Sequence, residues 1–101
     1  MAILSDVKAA LRISVSTTSF DSEVVDLIDA ARDDLRLAGT IESKVNDDGD
    51  PLIKRAITTY CKANFGYDNG DAERFQKSYD MLKMHLTLSQ EYTAEPPAVS
   101  P

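Results

Sequence analysis

The sequence has no tryptophan, one cysteine, one histidine, four glycines and four prolines in 101 residues. Each scarcity excludes something. A lone Cys61 forms no internal disulfide, so the fold expected is held by packing in a reducing compartment. A lone His85 has no second imidazole beside it for a zinc site. The scattered glycines build neither a phosphate-cradling Walker loop nor a GxGxxG turn, and no cofactor motif is present. No run approaches the ~20 apolar residues of a membrane helix. The opening residues, Met1 to Asp6, lack the basic and apolar segments of a secretory leader, so none is expected.

Charge of one sign is also short. The net charge is −6, from eleven Lys/Arg against seventeen Asp/Glu, and the whole excess lies in residues 1–50. Binding to nucleic acid rests on Lys and Arg neutralising phosphates, and no basic cluster provides for it. Nor is there a polybasic patch for an anionic membrane.

What is present is helical periodicity with polar punctuation. Four helices are expected in one small domain, residues 1–92. The first starts at Ser5 as N-cap, carries Val7, Ala10 and Leu11, and ends near Arg12 or Ile13. The second starts at Asp21, with Phe20 and Val25 at hydrophobic-staple spacing. Its apolar stripe is Val24, Ile28, Ala31, Leu35 and Ala38, and Gly39 stops it. An irregular stretch from Thr40 to Asp50 follows, with Ile41 and Val45 as anchors. Asp50-Pro51 opens the third helix as cap and first residue, with Ile53, Ala56, Ile57 and Tyr60 on its stripe. The fourth runs from a cap at Asp71 to about Tyr92, roughly 30 Å at ~1.5 Å per residue. It bears one stripe of Phe75, Tyr79, Leu82 and Leu86. A second holds Met81, Leu88 and Tyr92, with His85 between. A second apolar face on so small a subunit suggests a neighbour, and these four residues are the candidate subunit interface. Residues 93–101 hold three prolines and are expected to form an extended arm.

Catalytic and metal sites are not in view. Placing Gly49 at the glycine position of a calcium loop puts Lys44 and Arg55 where Asp and Glu are required, and the Asp68-Asn69-Gly70-Asp71 run fails likewise. Asp26, Asp29 and Asp33 form an acidic face on the second helix. Like charges at such spacing cost a few tenths of a kcal/mol per pair. The face is either solvated or a negative surface for DNA to slide past or a basic partner to meet.

The order of these segments resembles the small head–tail connector proteins of long-tailed bacteriophages, also called adaptor, head-completion or DNA-packaging proteins. The residues that carry it are Ser5-Asp6-Val7-Lys8-Ala9-Ala10-Leu11-Arg12-Ile13, then Phe20-Asp21-Ser22-Glu23 leading to Leu27-Ile28-Asp29-Ala30-Ala31-Arg32. Asp50-Pro51-Leu52-Ile53-Lys54-Arg55-Ala56-Ile57 and Tyr79-Asp80-Met81-Leu82 follow. It covers roughly residues 3–92; the proline-rich end matches no pattern. The resemblance implies a structural virion protein without enzymatic activity or cofactor, assembled in the host cytoplasm. It implies a ring, commonly of about twelve subunits, under the portal protein. The ring extends the channel for genomic DNA and docks the next neck, stopper or tail-completion protein. On that reading Asp26, Asp29 and Asp33 face the channel or a neck protein, and Glu95, Pro96, Pro97 and Val99 form a portal-docking arm. The alternative is a small helical regulator or interaction protein of a phage. A helix–turn–helix, however, needs a short turn and a basic recognition helix. Here the third helix offers only Lys54, Arg55 and Lys62.

Overall fold

A computed structural model describes residues 2–66 and 70–93, and every regular element among them is a helix. The elements are α1 (Ala2–Ala10), α2 (Asp21–Ala38), α3 (Glu42–Val45), α4 (Pro51–Asn64), α5 (Ala72–Leu88) and α6 (Gln90–Thr93). Helix α4 is central, with α1, α2 and α5 all packed on it. Ile53, Ala56, Ile57 and Cys61 of α4 are fully buried. They meet Ile3 and Val7 of α1, Val24, Ile28, Ala31 and Leu35 of α2, Val45 of α3 and Tyr79 of α5. The spacing of three and four residues puts each set on one helical face, and that face is the core.

Local chemistry explains most boundaries. The Asp50 carboxylate accepts from the amides of Leu52 and Ile53, capping α4, with Pro51 at its first position. Gly39 ends α2 in the left-handed region at φ 118°. There its amide donates to the Arg36 carbonyl and the Thr40 amide to the Leu35 carbonyl, the paired bonds of a Schellman ending. α1 ends in the same pattern, Arg12 to Ala9 and Ile13 to Lys8, but the left-handed residue is Arg12 at φ 63°.

Several particulars differ from the sequence expectation. Helix α1 begins at Ala2, so Ser5 lies inside it. Carrying the helix back past Ser5 puts Ile3 in the core beside Val7, and that burial outweighs a local cap preference. Asp21 is the first helical residue rather than the cap, because its carboxylate lies 2.7 Å from the buried ammonium of Lys8 on α1. The stretch 40–50 contains the short α3, which seats Val45 in the core. Ala38 is exposed; the α2 stripe ends at Leu35.

The largest difference is at the end. The expected single helix from 71 to 92 breaks at Ser89, whose ψ of 126° is extended, and α6 follows in a new direction. On a straight helix Tyr92 would continue the row of Met81 and Leu88, which are 57% and 78% exposed; after the break it is 5% exposed. Its hydroxyl donates to the Asp50 carboxylate at 3.0 Å, and its carbonyl accepts from the Ile41 amide at 2.8 Å. One aromatic ring with a polar tip thus ties α6 to α3 and the start of α4.

Candidate functional site

The described residues present three outward surfaces. The first is a row on α5: Met81 and Met84 are 57% and 51% exposed, Leu88 is 78% exposed, and His85 stands exposed among them. Steps of three and four residues align these side chains on the side of α5 turned away from Tyr79 and Leu86. Tyr92, expected in the same row, is instead in the core. Met84 belongs to the row and was legible from its spacing to Met81 and Leu88.

The second surface is the outer side of α2. Asp26, Asp29 and Asp33 are all exposed. Asp33 pairs with Arg36, whose guanidinium also donates to Glu42 at 2.6 Å. The Glu42 hydrogen bond, first among the causes, raises the Arg36 pKa, and the same bond lowers that of Glu42. Asp26 and Asp29 have no ion-pair partner among the described residues. Near the end of the helix, Leu37 is 88% exposed.

The third is a groove of about 750 Å³ between α4 and α5. Lys54, Arg55 and Lys62 line it from α4, and Phe75, Met81 and His85 from α5. Among the described residues no carboxylate lines it. In the sequence those three cations lie on one helix and suggest only a recognition helix; the packing places α5 beside them. The candidate arm residues Glu95, Pro96, Pro97 and Val99 lie outside the described residues.

The ionic contacts turned towards the core bind the fold together. The Lys8 ammonium, with its side chain 4% exposed, donates to the Thr17 carbonyl at 2.6 Å and to that of Val15 at 3.3 Å, besides pairing with Asp21. Arg32 reaches the Val45 carbonyl at 2.8 Å and the Asp48 carboxylate at 2.7 Å, holding the 40–50 stretch to α2. Asp34 accepts from the Tyr79 hydroxyl at 2.6 Å and from Lys83 at 3.0 Å, joining α2 to α5. Burial raises the Asp34 pKa, but these two hydrogen bonds and the Lys83 charge outweigh it, so the carboxyl sits below its usual 3.8. Burial first, then the Asp34 hydrogen bond, holds the Tyr79 phenol protonated. Burial likewise pushes the Cys61 thiol up to about 12, which leaves it a packing residue and a poor nucleophile.

Among the described residues no three His, Cys, Asp or Glu are grouped to hold a metal ion, and no helix is long and apolar enough to cross a membrane. Among the described residues the arrangement offers surfaces to macromolecules. No curated protein and no solved structure matches the chain. The family model described as phage connector protein matches residues 3–93. That span runs from the first buried residue of α1 to the last residue of α6, so the match covers the whole core. With nine-tenths of its length matched, this all-helical chain belongs to the phage connector protein family, and it is a phage head–tail connector protein.

Proposed function

We propose that the chain works in the virion as a ring under the portal protein, extending the channel for genomic DNA and docking the next neck or tail-completion protein. The observation that carries the reading is the exposed row Met81, Met84 and Leu88 on α5. An isolated small domain gains nothing by leaving three large apolar side chains aligned in water. Burial against a neighbour stabilises them by about 25 cal/mol per Å² of apolar surface. The net charge of −6 suits a lining past which DNA slides without sticking, and Asp26, Asp29 and Asp33 are candidates for a channel-facing or neck-facing surface. The role is structural and involves no catalysis or cofactor. Assembly takes place in the host cytoplasm.

Residues 94–101 follow α6 and contain Pro96, Pro97 and Pro101. Proline-rich chain loses little entropy when fixed. The proposed role of Glu95, Pro96, Pro97 and Val99 is to hold the ring on the portal, many weak contacts acting together. Truncation after Thr93 then leaves the helical body folded but unable to co-sediment with portal-bearing capsids. Undiminished co-sedimentation would assign the contact to the body.

Deleting the gene from its phage tests the whole reading. DNA-filled or leaking heads beside unattached tails are expected by electron microscopy. Normal virions would contradict it.

A further inference from the structure

The groove and the outer side of α2 are a complementary pair. In a chain of net charge −6, the α4–α5 groove is lined by Lys54, Arg55 and Lys62 and, among the described residues, by no carboxylate. Arg55 is exposed, with no carboxylate within ion-pair distance among the described residues. Most other cations are matched within the chain, as Lys54 is with Asp6 at 3.1 Å. Asp26 and Asp29 are likewise exposed and have no ion-pair partner among the described residues. Among the described residues, Arg55 in the groove and Asp26 and Asp29 on α2 are thus charges of opposite sign without an ion-pair partner.

The two places are on different sides of the molecule. At about 100° per residue, Asp26, Asp29 and Asp33 point away from Val24, Ile28, Ala31 and Leu35, the face by which α2 joins the core. No α2 residue lines the groove. Helix α5 is touched by α2 through Asp34 at Tyr79 and Lys83, whereas it lines the groove with Ser78, Met81 and His85, on the opposite flank. Neither surface can satisfy the other within one chain.

We infer that the acidic outer side of α2 in one copy seats in the α4–α5 groove of the next copy. This rests on the ring reading above and names its contact, and it gives Asp26, Asp29 and Asp33 a place between copies instead of the channel-facing or neck-facing one. A contact between two different faces is head-to-tail, the kind that repeats into a closed ring, whereas a two-fold dimer uses one face twice. Met81 lines the groove and also belongs to the exposed α5 row, so seating α2 there covers part of that row as well. A DNA backbone is the competing occupant. It would gain nothing from the apolar wall, and the chain's net charge opposes it. Charge pairing of this kind fixes partner orientation and speeds encounter, and salt weakens it.

Sedimentation velocity on the full chain, over a concentration series at low and high salt, tests the contact. The variants are Arg55→Glu, the double change Asp26→Lys with Asp29→Lys, and all three changes in one chain. All three sites are exposed, and circular dichroism checks that helicity is kept; Arg55→Ala is a milder second variant. Each reversal alone is expected to move association to at least tenfold higher concentration. An equal mixture of the two reversed chains, or the chain carrying all three changes, is expected to recover it. High salt is expected to weaken wild-type association. If the wild type assembles and the reversals assemble equally well, this contact is wrong while the ring reading stands. A wild type that stays monomeric throughout, alone and with portal-bearing capsids, overturns the ring reading itself. If Arg55→Glu abolishes binding to a short DNA duplex and leaves assembly intact, the groove faces DNA and the inference fails.

Discussion

The inward and outward sides of the helices treat charge differently. Inward, Lys8, Asp34 and Arg32 are each held by two or more partners at 2.6 to 3.3 Å from another part of the chain. Outward, Asp26, Asp29 and Arg55 are exposed without ion partners among the described residues, and Met81, Met84 and Leu88 stand in water. A partly buried charge without a partner costs several kcal/mol, so it must be satisfied inside the subunit. An exposed charge costs almost nothing alone and can wait for another molecule. The inner set therefore belongs to folding and the outer set is available for assembly.

That division can be broken from the inside first. Leu35→Asp places an unpaired carboxylate among fully buried residues, at a cost of several kcal/mol against a total stability of ~5–10. Loss of cooperative unfolding and of helicity is expected by circular dichroism. Lys8→Ala is next. It strips three contacts from the α1–α2 junction and should cost about 3 kcal/mol in urea denaturation. Lys54→Ala, which breaks an exposed pair with Asp6, should cost under ~0.5 kcal/mol. Equal losses at Lys8 and Lys54 would erase the distinction.

Tyr92→Phe should cost about 1.5 kcal/mol by leaving the Asp50 carboxylate without its phenol donor. It also changes the pH dependence. Burial first, then the hydrogen bond to Asp50, raises the phenol from 10.0 to about 12. The folded state therefore holds the proton more tightly than the unfolded chain. The stability from this bond is complete below pH 10 and is lost as pH rises through about 12. The variant should lose less stability than the wild type over that window. Asp34 acts at the other end. Its lowered pKa contributes stability above 3.8 that is lost as pH falls through the folded value. Asp34→Asn should therefore flatten the acid limb of the stability profile.

Two chemically alike helix ends give a further pair of small effects. Arg12 and Gly39 occupy the same left-handed position of the same motif. Only glycine adopts it without steric cost. Arg12→Gly should raise the melting temperature slightly, by up to about 1 kcal/mol of stability, and Gly39→Ala should lower it by a similar amount.

These particulars show how far the sequence could be read. The α2 stripe, the Asp50 cap and the Gly39 stop were legible because each depends on residues within one or two turns. Ser5 and Tyr92 misled because distant packing decided them. Ile3 drew α1 back through Ser5, and Asp50, forty-two residues away in sequence, drew Tyr92 inward at the Ser89 break. The acidic side of α2 was legible as a pattern on one helix. The basic groove was not, because it is made by two helices, and only their packing brings Met81 and His85 beside Arg55.

Methionine oxidation tests most directly whether the outward surfaces are assembly surfaces. Met81 and Met84 are more than half exposed and should oxidise quickly with dilute peroxide in the free chain, followed by peptide mass spectrometry. In assembled virions both are expected to be protected at least tenfold, with Met81 in the groove at least as strongly as Met84. Equal oxidation rates in free chain and virion would contradict the division between an inner side committed to folding and an outer side committed to joining.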